Sequence, residues 1–94
     1  MIHYEHIEGK DKGDVTLFAL STCVWCKRTK KLLSDLNISY NYVFVDLVEG
    51  EEKEEVVEKV KEHNPKCSYP TLVINNETCI VGFKKDQIVD LLGD

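Results

Sequence analysis

Two cysteines separated by two residues, in the order Cys23-Val24-Trp25-Cys26, are the residues of this chain best suited to carry chemistry. They follow an apolar run, 15–20, and precede a segment with the apolar spacing of a helix. A thiol at a helix N-terminus meets unpaired N–H groups and the positive end of the helix dipole, which favour the thiolate. A second thiol one turn later can attack a mixed disulfide formed on the first. The pattern indicates reversible disulfide exchange.

Two further cysteines, Cys67 and Cys79, leave zinc binding open as an alternative. They lack the second Cys-x-x-Cys pair of a zinc ribbon or finger, so we expect no metal site. Cys67 lies three residues before a proline and is either an auxiliary thiol or a structural residue. Cys79 lies in a predicted strand, and we interpret it as a small core residue.

The composition is that of an ordinary globular protein. Over 94 residues, 43% are hydrophobic and 31% are charged, which indicates one folded domain, 1–94, without disorder or a membrane span. The first residues lack the basic flank and apolar core of a secretory signal, so we expect a cytoplasmic protein. A net charge of −5 disfavours nucleic acid as a partner. We expect a monomer.

The charge is distributed unevenly along the chain. Four cations, Lys27, Arg28, Lys30 and Lys31, follow the cysteine pair directly, whereas residues 49–62 contain seven Glu and three Lys. Lys27 and Arg28 are candidates for stabilising a thiolate on the pair, and all four cations are candidates for docking an acidic partner. The alternative is that all four cations form an ordinary solvated helix face.

Hydrophobic periodicity predicts a mixed α/β fold. Residues 1–13 form either a loose N-terminal arm or an added edge strand. Beyond them the pattern predicts strands at 15–20, 40–46, 71–74 and 78–81 and helices at 25–36, 49–63 and 85–92. The first helix joins two strands, which implies a parallel pair. The order is therefore βαβαββα, a four-stranded mixed sheet flanked by helices, with a possible extra N-terminal strand.

This order, with Cys-x-x-Cys after the strand at 15–20 and a lone proline before the strand at 71–74, resembles the thioredoxin superfamily and its glutaredoxin branch. The resemblance covers residues 14–93 and implies a thioredoxin-like fold. It also implies that Cys23 is the nucleophile and that Cys26 resolves the mixed disulfide to form a Cys23–Cys26 disulfide. Pro70 is expected to be cis, with the main chain of Tyr69 facing the substrate. A trans proline starting an edge strand is the alternative.

Other positions near the pair are expected to bind substrate, namely Thr22, Trp25, Gly82 and Phe83. Trp25 is either a rim of the substrate groove or the first apolar anchor of the helix. Thr22 either caps that helix or shields Cys23, and we favour the cap.

Departures from the glutaredoxin pattern bear on the reductant. Many glutaredoxins carry Cys-Pro-Tyr-Cys, a preceding lysine and a late Gly-Gly-Cys-Asp-like turn, which together hold glutathione. Here residues 20–22 read Leu-Ser-Thr and residues 82–86 read Gly-Phe-Lys-Lys-Asp. The latter is similar to the Gly-Phe-Arg-Pro-Asp segment of NrdH-type redoxins, which a thioredoxin-reductase-type flavoprotein recharges.

The resemblance therefore implies a dithiol electron carrier for protein or small-molecule disulfides. It carries no bound cofactor and depends on an external reductant, either a flavoprotein reductase or a low-molecular-weight thiol. Ribonucleotide reductase is the partner that NrdH-type redoxins suggest. The alternatives are a glutathione-dependent glutaredoxin and a binding module that holds zinc or an iron–sulfur cluster shared by two subunits.

Overall fold

The computed structural model describes residues 2–93 and contains one five-stranded sheet and three helices. The strands are β1 (Glu5–Ile7), β2 (Val15–Ala19), β3 (Tyr40–Phe44), β4 (Thr71–Ile74) and β5 (Thr78–Val81), and the helices are α1 (Val24–Asp35), α2 (Gly50–His63) and α3 (Lys85–Leu92). The observed architecture is the thioredoxin-like βαβαββα arrangement with an added N-terminal strand. The predicted elements are confirmed to within two residues at their ends.

The strands lie in the order β1-β3-β2-β4-β5. β2 pairs in parallel with β3 on one side and antiparallel with β4 on the other, and β5 continues the sheet from β4. β1 adds antiparallel to β3 and makes the sheet five-stranded rather than four-stranded. Residues 5–7 of the N-terminal segment are therefore an edge strand, because their main chain pairs with the outer side of β3.

Helices cover both faces of the sheet. Each strand contributes side chains to both helix layers, because successive strand residues point to opposite sides. On one face Leu17 and Leu72 pack with Leu33 of α1 and Ile88 of α3. On the other face the side chains that pack against α2 form a second cluster, which comprises Phe18, Val43, Val45, Val56, Val60 and Val73. α1 ends before Asn37, whose φ of 57° lies in the left-handed region common after helix C-termini.

The strand directions bring four chain segments to one edge of the sheet. β2 and β3 run in parallel and both end there, while the antiparallel β4 begins there and β5 ends there. Three residues separate the end of β2 from the cysteine pair, and Pro70 immediately precedes β4. Within residues 2–93, no helix has the length and apolar character needed to cross a bilayer.

Candidate active site

Cys23 is the N-cap residue of α1. Its backbone is extended (φ −87°, ψ 120°), and the N–H of Cys26 donates to its Sγ over 3.2 Å. The sulfur thus takes the position that a serine or aspartate oxygen takes in a conventional N-cap. The expectation that Thr22 caps the helix is wrong, because the helix begins one residue later than such a cap requires. Thr22 is exposed and lies in the turn before Cys23.

Cys26 lies one turn into α1 and is buried, with 1% of its surface exposed. Burial raises the pKa of the Cys26 thiol to about 12, and its hydrogen bond to Cys23 acts in the same direction. The N–H of Leu20 donates to Cys26 Sγ over 3.5 Å and opposes this shift. As the sequence predicted, Cys26 is the more buried thiol of the pair.

Two later segments close over the N-terminus of α1. The Tyr69–Pro70 peptide bond is cis, as the resemblance implied, and the Pro70 carbonyl accepts from the N–H of Gly82 over 2.8 Å. Gly82 has φ of +83°, a conformation that favours glycine. The next side chain, Phe83, stacks on Trp25 with ring centroids 5.9 Å apart. The structure therefore brings the predicted site residues together from three parts of the chain.

Trp25 lies at the surface rather than in the core. Its side chain is 54% exposed, which excludes the interpretation of Trp25 as a buried helix anchor. The guanidinium carbon of Arg28 lies 4.9 Å from the centre of its ring, within the range of a cation–π contact. A role for Trp25 at the rim of a substrate groove is compatible with this position.

The four cations after the pair do not form one uniform solvated face. The Lys30 ammonium lies 4.3 Å from the centre of the Tyr42 ring, and Lys31 forms an ion pair with Asp35 at 2.9 Å. Lys27 and Arg28 are both exposed. Because Arg28 lies against Trp25, it is the cation that the structure links most directly to the surroundings of the thiols.

A buried amide fixes the loop before the cis proline, and the sequence analysis missed this role. Asn64 is 5% exposed, and its Nδ2 donates to the Ser68 carbonyl at 3.1 Å and to the Thr71 hydroxyl at 3.1 Å. Thr71 is fully buried, and its hydroxyl donates to the same Ser68 carbonyl. The Asn-Pro dipeptide at 64–65 indicated only a helix end, yet a polar residue at that boundary is also suited to hold the following loop.

Asp46 is a second residue that the sequence analysis missed. Its carboxylate accepts from the main-chain N–H of Ser21 at 2.9 Å and from the Ser21 hydroxyl, and these bonds lower the pKa of Asp46. The end of β3 is thereby tied to the turn that leads into Cys23. The negative charge also contributes to the raised pKa of Cys26. The sequence offered no signal for this contact beyond an acid at a strand end.

The two remaining cysteines differ in their surroundings. Cys67 Sγ lies 3.3 Å from the Tyr69 hydroxyl, and burial together with this contact raises the pKa of Tyr69. Cys67 is therefore close to the cis proline loop, as its position in the sequence suggested. Cys79 is half-buried in β5 and outside the core clusters, so its assignment as a core residue is only partly correct. Burial raises the pKa of Cys79.

No three His, Cys, Asp or Glu side chains converge as a metal-ligand set anywhere in residues 2–93. The pair Cys23 and Cys26 therefore has no third protein ligand in the described part of the chain. What the arrangement offers chemically is one half-exposed sulfur at a helix N-terminus beside one buried thiol.

Comparison with known proteins agrees with this geometry. The family model described as Glutaredoxin matches residues 15–79, which include the cysteine pair and the cis proline. The chain belongs to the glutaredoxin family. It is 31% identical over 78 residues to an uncharacterized glutaredoxin-like 8.6 kDa protein of the rubredoxin operon of Clostridium pasteurianum, covering 83% of this chain and 96% of that protein.

Solved structures of higher identity come from two Methanosarcina species. The glutaredoxin from Methanosarcina mazei Go1 is 53% identical, with a TM-score of 0.90 over 97% of this chain and 88% of that one. Methanoredoxin from Methanosarcina acetivorans is 52% identical, with a TM-score of 0.88 over 92% of this chain and 90% of that one. This glutaredoxin family member is a thiol–disulfide oxidoreductase.

The raised pKa of Cys26 leads to a prediction about thiol reactivity. At neutral pH the thiolate fraction of Cys26 is small, and it increases as the pH rises toward 12. In the reduced protein we expect iodoacetamide to label Cys26 at an initial rate at least about a hundredfold below that of Cys23. Time-resolved peptide mapping by mass spectrometry measures both rates, and protein unfolded in urea is the control. Equal initial rates in the folded protein would contradict the assignment.

Proposed function

We propose that this protein is a dithiol electron carrier that reduces protein or small-molecule disulfides through Cys23 and Cys26, without a bound cofactor. One observation carries the proposal. The sulfur of Cys23 is half-exposed and accepts the N–H of Cys26, whereas the thiol of Cys26 is buried and has a raised pKa. The two thiols are thus unequal in their access to solvent, which suits attack by the exposed sulfur followed by resolution by the buried one.

The proposed reaction proceeds in two exchange steps. The thiolate of Cys23 attacks one sulfur of the substrate disulfide, forms a mixed disulfide and releases the other substrate sulfur as a thiolate. Cys26 then loses its proton to solvent and attacks Cys23 Sγ, which forms the Cys23–Cys26 disulfide and releases the second substrate thiolate. Two electrons pass to the substrate, and two protons from solvent complete its two thiols.

The substrate-binding surface is proposed to surround Cys23. The main-chain N–H and C=O of Tyr69 form no hydrogen bond with another residue in the range 2–93, so they are available to pair with an extended peptide. Trp25 and Phe83 provide an aromatic wall beside this segment, and Gly82 holds the wall against Pro70. Thr22 is exposed in the turn before Cys23 and completes the rim.

The proposed reductant is a thioredoxin-reductase-type flavoprotein or a low-molecular-weight thiol other than glutathione. Two features support it. The residue three positions before Cys23 is Leu20 rather than a lysine, and the late turn carries Phe83 where many glutaredoxins place a Gly-Gly-Cys-Asp-like sequence. Ribonucleotide reductase remains a proposed electron acceptor through the similarity of residues 82–86 to NrdH-type redoxins.

Replacing the resolving thiol tests the order of the two steps. In Cys26→Ser, attack by Cys23 still occurs but resolution cannot, so we expect a mixed disulfide to accumulate and dithiol turnover to fall at least about a hundredfold. Intact mass spectrometry detects the adduct, and insulin reduction with dithiothreitol measures the turnover. Cys79→Ser is the matched control and should behave as the wild type. Full dithiol turnover by Cys26→Ser would show that the roles are assigned wrongly.

A comparison of two reductants tests which of them recharges the protein. Oxidised protein is offered glutathione in one reaction and NADPH with a thioredoxin reductase in another, and the return of free thiols is measured. We expect the flavoprotein system to reduce the protein. At equal reducing equivalents, glutathione should reduce it at least about tenfold more slowly. Efficient reduction by glutathione alone would identify a glutathione-dependent glutaredoxin instead.

A further inference from the structure

A cleft lies between the outward side of α1 and the start of α3, immediately beside Trp25. It has a volume of about 340 Å³ and is lined by Arg28, Lys31, Leu32, Asp35, Phe83 and Lys85. Of these residues only Phe83 is expected from the sequence to bind substrate, and Arg28 and Lys31 are among the four cations that the sequence offers for docking. We call these six residues the α1–α3 cleft.

The aromatic stack forms one wall of the α1–α3 cleft and connects it to the thiols. Phe83 lies nearly parallel to Trp25, at an interplanar angle of 26° with centroids 5.9 Å apart. Arg28 approaches the same indole ring to 4.9 Å. A ligand in the cleft would therefore contact Phe83 and Arg28, and both of these side chains contact Trp25, which lies between the two cysteines.

The α1–α3 cleft is cationic although the chain as a whole is acidic. Lys31 is neutralised by its ion pair with Asp35 at 2.9 Å. Arg28 and Lys85 form no ion pair with any acid in the described range of the chain. The chain has a net charge of −5, and seven Glu lie between residues 49 and 62. Arg28 and Lys85 therefore give this cleft beside the active site a positive charge in a chain whose net charge is negative.

We propose that the α1–α3 cleft docks an acidic segment of the protein substrate next to its disulfide, with Arg28 and Lys85 binding the segment's carboxylates. The inference rests on the proposed function and specifies its substrate class. Charge complementarity sets the sign of the partner, because two unpaired cations attract an acidic segment and repel a basic one. An exposed Trp flanked by Arg is also the composition found at the energetic centre of protein–protein interfaces.

Three synthetic peptides test this docking. Each contains one intrachain disulfide followed by three residues, which are Asp in the first peptide, Ser in the second and Lys in the third. We expect kcat/KM for the Asp peptide to exceed that for the Lys peptide about tenfold, as two exposed ion pairs would produce, with the difference in KM. Raising the salt from about 0.05 M to about 0.5 M should reduce this ratio several-fold.

Reversing the charges of Arg28 and Lys85 tests whether these residues cause the preference for the Asp peptide. In Arg28→Glu/Lys85→Glu the ratio between the Asp and Lys peptides should fall to about one or invert. Lys61→Glu is the matched control, because Lys61 is exposed on α2, which packs on the opposite face of the sheet. It should keep the ratio of the wild type. Equal kcat/KM for the Asp and Lys peptides in the wild type, or equal ratios in the two variants, would overturn the docking proposal.

Trp25 is the only tryptophan of the chain, so its fluorescence reports binding without chemistry. In Cys23→Ser/Cys26→Ser we expect the Asp peptide to change the emission and the Lys peptide to leave it unchanged. If the wild type reduces none of the peptides but this binding difference persists, the proposed function fails and the docking stands. If all three peptides are reduced equally and bind equally, the docking fails and the proposed function stands.

Discussion

The site depends on the hydrogen bond from the Cys26 N–H to Cys23 Sγ, which makes a sulfur the N-cap of α1. This bond requires Cys23 to be extended while the residues after it are helical, so the helix must begin at Val24. An N-cap side chain reaches the main-chain N–H three residues later, and here that residue is Cys26, so its own thiol lies one turn into the helix. One local interaction thus positions both sulfurs and gives them unequal exposure.

The sheet fixes the positions of the chain segments that surround Cys23. β2 is the central strand, with β3 and β4 on either side, so the turn that leads to Cys23 is fixed by its neighbours. Asp46 ties that turn to the end of β3 through Ser21, and Asn64 holds the loop that leads to Pro70. The Gly82 N–H then joins the end of β5 to Pro70. Each of these contacts links a segment of the site to the end of a strand.

The sequence predicted the elements well because their patterns are local. Alternation and helical spacing identified β2, α1 and β4, and the spacing of the thiols indicated the chemistry. Contacts between distant segments were not predictable in the same way. The stack of Phe83 on Trp25 and the bonds of Asp46 to Ser21 depend on which strand ends meet, which no single stretch of sequence encodes. Thr22 was chosen as the cap because a threonine commonly caps helices, whereas the sulfur one residue later makes the bond.

A redox titration monitored by the fluorescence of Trp25 tests most directly the claim that Cys23 and Cys26 form the working couple. The protein is equilibrated in mixtures of reduced and oxidised dithiothreitol, and its emission is followed against the potential. We expect a two-electron transition, in which the potential changes by about 30 mV for each tenfold change in the ratio of oxidised to reduced protein. The same transition should occur in Cys67→Ser/Cys79→Ser. A transition that disappears in that variant, or that persists in Cys23→Ser, would contradict that claim.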